Sequence, residues 1–226
     1  MKVLQLMNIV ETVKLHLSDV GYPKASVKTG QVRSISALVF KTIRNKDISN
    51  VLSLCTQLLE ERDWALGVIA YDWAFRVRKQ YSKETFFIFE HWLFHYVTDW
   101  NDCDDFCTHA FGELLSQYNE LFEMTTKWVD HSNFAVRRTA AVVLIYPINK
   151  NRYSSLNSFK VADLLIKDEH DLVQKSYGWM LKVLSQKEPE LVIRYLKAKH
   201  AVMPRVAFRY AIEKLDDKAK RELMSL

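Results

Sequence analysis

The chain has 226 residues but only five glycines and four prolines, where average usage of about 12% would give roughly 27. So few turn-formers exclude a sandwich, a barrel or a nucleotide fold built on glycine-rich loops. An apolar share of 49% with 12% aromatics excludes disorder, and a net charge of +5 permits a polyanionic partner without requiring one.

The expected fold is all-helical and a single domain over residues 1–226. Apolar positions recur at three- and four-residue spacing, predicting helices over 3–19, 31–44, 47–60, 63–79, 83–97, 101–116, 118–129, 133–146, 155–166, 169–185, 188–198, 204–213 and 215–224. Asp47, Ser82, Ser132 and Asp168 stand where N-caps are expected. Three cysteines, no signal-peptide pattern and no apolar run near 18 residues lead to the expectation of a cytoplasmic protein with no membrane partner.

Some of these helices repeat one another. SNFAVRRTAAVV (132–143) superposes on EHDLVQKSYGWM (169–180), aligning Val136 with Val173 and Ala141 with Gly178, and EERDWALGVIAY (60–71) is a looser third copy. A period near 40 with two helices per unit points to a superhelical array of HEAT-like helix pairs with one concave face. An irregular helical bundle is the alternative.

Two clusters could carry chemistry. His91 and His95, and Cys103, Cys107 and His109, have the i, i+4 spacing of zinc ligands, but no matched partner motif accompanies them, so neither metal nor cofactor is expected. The stretch Thr98-Asp-Trp-Asn-Asp-Cys-Asp-Asp-Phe106 gathers four carboxylates beside a tryptophan where a helix should begin. One reading is a helix N-terminus decorated with acids, which the helix dipole favours. The other is a working carboxylate against an aromatic wall, with Trp100 and Asp104 on one face.

WNDCD (100–104), NFAVRRTAA (133–141) and YGWMLK (177–182) together resemble the AlkD family of bacterial DNA glycosylases, in matching order from about residue 60 onward. The resemblance implies HEAT-like repeats whose concave basic face holds duplex DNA, and excision of cationic N3- and N7-alkylpurines without flipping the base into a pocket. It implies that Asp104 is the catalytic carboxylate, that Trp100 and Trp179 pack on the damaged nucleotide, and that Arg138 holds a phosphate, with Arg137, Lys175 and Lys182 as further DNA contacts. Cleaving an N-glycosidic bond develops oxocarbenium character, which a carboxylate stabilises. A monomer acting on duplex DNA is the corresponding expectation. The segment 182–209 holds seven cations, Lys182, Lys187, Arg194, Lys197, Lys199, Arg205 and Arg209, against Glu188 and Glu190 only, an excess equal to that of the whole chain. Its alternative reading is a solvated face of terminal helices.

The resemblance also implies a helix between the first helix and the repeats, approaching DNA beside the lesion. Here that stretch is Gly21-Tyr-Pro-Lys-Ala-Ser-Val-Lys-Thr29, bounded by Gly30 and about ten residues short, too little for a helix of useful length. Three functional expectations follow: a family member whose excision is weak or lost, a competent glycosylase in which Tyr22, Lys24 and Lys28 replace the missing helix, and a non-enzymatic scaffold for a protein or an unusual DNA structure. The aromatic helix carrying Phe86, Phe87, Phe89, Trp92, Phe94 and Tyr96 is the candidate protein-binding surface, or else core.

Overall fold

The computed structural model describes residues 8–226, which contain helices and turns and no strand. The start of the first predicted helix, residues 3–7, lies outside the described residues. The chain divides into two compact units, Met1–Tyr96 and Val97–Leu226.

The first unit holds α1 (Ile9–Asp19), α2 (Thr29–Thr42), α3 (Ile48–Glu60), α4 (Trp64–Arg76) and α5 (Thr85–Tyr96). Its centre is α4, buried continuously from Ala65 to Ala74, with α2 and α3 packed on it. A helix enclosed on all sides is apolar all round, and its one buried charge must be matched. Asp72 is matched by Ser36 Oγ at 2.5 Å and Arg76 Nε at 2.7 Å, while Trp73 Nε1 donates to Ser36 O at 3.1 Å.

Between α1 and α2 there is no helix. Val20–Lys28 is a turn, with Gly21 at φ +88° closing α1 through Gly21 N to Ser18 O at 2.8 Å. Tyr22 ties the turn down by donating from its hydroxyl to Asp63 at 2.7 Å.

The second unit runs through α6 (Trp100–Phe106), a π-helical turn (Cys107–Phe111), α7 (Gly112–Gln117), α8 (Phe122–Thr125), α9 (Phe134–Val142), α10 (Ile145–Asn149), α11 (Ser158–Leu165), α12 (Asp171–Ser185), α13 (Pro189–Lys199), α14 (Arg205–Ile212) and α15 (Asp217–Met224), with 3-10 turns at Asn119–Leu121 and Thr126–Asp130. Within it α6 packs on α9, α9 on α12, and α12 on α14.

The predicted span 101–116 is broken by the π turn, and 133–146 ends at Val142 before α10 begins. Gly112 explains part of this geometry. A Cβ there would lie 2.4 Å from Cys107 O and 2.5 Å from Tyr146 Cβ, so only glycine lets α10 approach the end of the π turn. Gly178 does the same for α14, since its Cβ would meet Ala207 O at 2.6 Å and Tyr210 Cβ at 2.8 Å.

Four helices share one construction at their start. Asp63, Asp99, Asn133 and His170 are the N-caps of α4, α6, α9 and α12, and each side chain accepts from a backbone N–H of its first turn. The caps recur at steps of about 35 residues, and the step from Asn133 to His170 keeps the sequence register. Two predicted caps are therefore corrected: Asn133, not Ser132, caps α9, and His170, not Asp168, caps α12. Asp47 stands at an N-cap without a side-chain bond, and Ser82 precedes α5, its N–H donating to Thr85 Oγ1 at 3.1 Å.

Candidate functional site

Asp99 and Asp102 behave as the acids of a helix start. Asp99 accepts from Trp100 N at 2.7 Å, and Asp102 lies in the first turn of α6. Burial raises the Asp102 carboxyl above the usual range; bonds from the Thr98 and Asp99 backbone oppose this, and the charges of Asp99 and Asp105 add to it. Asp104 departs from this pattern and turns toward α9.

There Arg138 meets it as a fork, Nε donating to Asp104 Oδ1 at 2.8 Å and Nη2 to Oδ2 at 2.9 Å. The third nitrogen, Nη1, donates to Leu172 O, at the start of α12. Arg138 is 5% exposed. Burial alone would lower the pKa of such a guanidinium, but the Asp104 carboxylate more than reverses that and raises it. One buried side chain thus fixes the carboxylate of α6 and the backbone of α12 together.

From Leu172 onward, Lys175, Trp179 and Lys182 follow at helical spacing along α12, and all are partly buried. The Arg138 bond to Leu172 O places the Asp104 cluster at the N-terminal end of this stripe. Trp100, one turn before Asp104, is 42% exposed. Lys175 is paired with Asp171 at 2.7 Å, and Lys182 with Glu213 at 3.0 Å while lying 5.3 Å from the Tyr210 ring centre.

Arg137, the neighbour of Arg138, points elsewhere. It bonds Asp168 through Nε at 2.6 Å and donates from Nη1 to His131 O and Ser132 O. The residue expected as a cap is therefore the partner of an arginine. Asn133 adds a second tie, its side-chain amide donating to Val97 O at 3.1 Å. The roles of Asp168 and Ser132 as partners of Arg137, and the Leu172 carbonyl as partner of Arg138, had no sequence signal beyond the basic pair Arg137–Arg138.

The cysteines belong to the core. Cys103 and Cys107 are fully buried, with sulfurs 3.2 and 3.7 Å from Thr139 Oγ1. Burial, with Cys103 beside it, pushes the Cys107 thiol well above its ordinary value. Among the described residues no three or more His, Cys, Asp or Glu side chains are grouped to hold a metal.

The basic excess of 182–209 shrinks in three dimensions. Lys182, Lys197 and Lys199 are bonded to Glu213, Glu222 and Asp163, carboxylates outside that segment. Lys187, Arg194, Arg205 and Arg209 have no carboxylate partner among the described residues. No described helix is long and apolar enough to cross a membrane.

An all-helical chain with this arrangement has solved counterparts. It is similar to a predicted DNA alkylation repair enzyme from Enterococcus faecalis, with a TM-score of 0.67 and 17% identity over 92% of this chain and 96% of that one. It is also similar to AlkD2 from Streptococcus mutans, with a TM-score of 0.66 and 18% identity over 92% of this chain and 100% of that one. At such identities the likeness shows the fold, that of AlkD-type helical proteins. No curated protein matches the chain. Residues 18–215 match the family described as DNA alkylation repair enzyme, and the chain belongs to that family.

Proposed function

We propose that this protein binds duplex DNA along the stripe of Lys175, Trp179 and Lys182 beside Asp104, and that its excision of cationic N3- or N7-alkylpurines is weak or absent. The observation that carries the second clause is the turn Val20–Lys28, which stands where the family resemblance calls for a lesion-approaching helix. Losing one side of a clamp removes positioning, and misplacement of about 1 Å can cost around 100-fold in rate.

Asp104 is the carboxylate proposed to face the developing oxocarbenium. In this reading Arg138 is a positioning residue. Its three donor nitrogens are engaged, so phosphate contact passes to Lys175, Lys182 and the unpaired cations of the C-terminal helices, and Arg137 supports the turn before α9. Trp100 and Trp179 present aromatic faces to the deoxyribose and to the positive charge of an alkylated base, worth about 0.5 to 2 kcal/mol each. The reading in which Tyr22, Lys24 and Lys28 replace the helix loses one member, because the Tyr22 hydroxyl is held by Asp63.

The test is base release from N7-methylated duplex DNA, with Asp104→Asn alongside. The expected result is release near the spontaneous rate, the same in both proteins, together with DNA binding that weakens with salt. Release far above the spontaneous rate and abolished in Asp104→Asn would establish a competent glycosylase. Absence of salt-dependent binding would leave the scaffold reading.

A further inference from the structure

We propose that a cavity in the second unit binds a free α-amino acid with an apolar side chain. The cavity, of about 390 Å³, is lined from the start of α11, the end of α12 and the start of α13, by Ser158, Phe159, Leu184, Glu188 and Leu191, with Tyr153 from the loop before α11. Its size falls in the range of roughly 300 to 1,000 Å³ of small-molecule sites. Leu184 lies on the side of α12 away from Lys175 and Lys182, so the cavity is separate from the proposed DNA-binding stripe.

Two groups on its wall are unspent. Ser158 is 3% exposed, and its hydroxyl has no hydrogen-bond partner. Buried hydroxyls are nearly always paired, so an orphan on a cavity wall points to a ligand that pairs with it. Ser158 is also the first residue of α11. The Asn157 side chain accepts from Lys160 N at 2.9 Å, but the N–H groups of Ser158 and Phe159 have no acceptor among the described residues. A hydroxyl and two amide donors at a helix N-terminus suit a carboxylate.

Glu188 is the second group. It is half-buried, accepts from the Tyr153 hydroxyl at 3.1 Å and has no cationic partner among the described residues. No Lys or Arg stands on the cavity wall, so the complement of Glu188 there is an ammonium group. Leu184, Leu191 and the Phe159 ring, whose centre is 4.8 Å from that of Tyr195, supply apolar surface for a side chain. A simple anion would meet Glu188, and a simple cation would meet the positive end of α11. A zwitterion satisfies both.

L-leucine titrated into the full chain tests this by calorimetry. One saturable equivalent is expected, weakened at least tenfold in Ser158→Ala and in Glu188→Gln. Leucinamide, which lacks the carboxylate, and 4-methylpentanoate, which lacks the ammonium, should each bind at least tenfold more weakly than leucine. Ser158→Ala removes a hydroxyl that has no partner, so its melting temperature should not fall, which separates lost binding from lost folding. In the native protein, leucine should shift the amide resonances of Ser158 and Phe159 before the indole resonance of Trp179. No saturable leucine binding, either variant or either analogue matching the native protein with leucine, or shifts that begin at Trp179, overturns the proposal.

Discussion

Arg138 lies across Asp104 as a parallel two-bond fork, 2.8 and 2.9 Å, and is itself 5% exposed. A buried pair of this kind contributes little net stability as a pair but a great deal against the loss of one partner. Asp104→Asn leaves the guanidinium facing an amide that cannot match it. We expect about 3 kcal/mol lost in urea unfolding, similar for Arg138→Met, with the double variant losing clearly less than the sum of the singles. Strict additivity would mean that the two side chains are energetically independent. Base release by Asp104→Asn must accordingly be measured where that variant is folded.

The glycines divide by what surrounds them. At Gly67, in α4, an added Cβ meets only Tyr71 Cε2 at 3.9 Å, so Gly67→Ala should stabilise by up to about 1 kcal/mol through helix propensity. Gly178→Ala gains the same propensity but drives a methyl into Ala207 O, and we expect a net loss of about 1 to 3 kcal/mol. Melting temperatures of the two variants should move in opposite directions, and movement in the same direction would contradict the close approach of α14 to α12.

Tyr22 gives the turn Val20–Lys28 a pH signature. Burial, and then the Asp63 carboxylate at 2.7 Å, push its phenol from 10.0 up to about 12. Between these values the unfolded chain has released a proton that the folded chain keeps. Folding then takes up a proton, and the contribution of Tyr22 falls as pH rises across that window. Tyr22→Phe should cost about 1 kcal/mol near neutrality, with the difference from the native protein narrowing between about pH 10 and pH 12. A difference constant over that range would count against the bond to Asp63.

Trp100 separates binding from folding. Being 42% exposed at the start of α6, it should be replaceable by alanine within about 0.5 kcal/mol of native stability. Under the proposed function the same variant binds duplex DNA several-fold more weakly. Unchanged DNA affinity would remove Trp100 from the interface.

Helix positions were readable because burial imposes a 3.6-residue period, and the offset between 132–143 and 169–180 reappears as the N-caps Asn133 and His170. The cap residues themselves were misread at α9 and α12. Asp168 and Ser132 have suitable chemistry, but Asp168 is drawn off by Arg137, and the Ser132 carbonyl accepts from that same arginine. The close approach of Tyr146 to Gly112, just after the π turn at Cys107–Phe111, is a contact between segments remote in sequence, and local pattern carries no trace of it. In the candidate site, Trp100 and Asp104 were legible as a shared helical face. That Arg138 would spend its donors on Asp104 and Leu172, and not on a solvent-facing anion, required knowing its burial.

Helices near a chain end open more readily than the buried core. Arg138 sits in α9 with one hand on α6 and the other on the first turn of α12. Fraying that reaches the start of α12 therefore strips the guanidinium of one partner and slackens the Asp104 carboxylate at the same moment. The atoms that shape the site also set how far the C-terminal end can melt before the site comes apart, so hydrogen exchange in α12 and the geometry of Asp104 should report a single event.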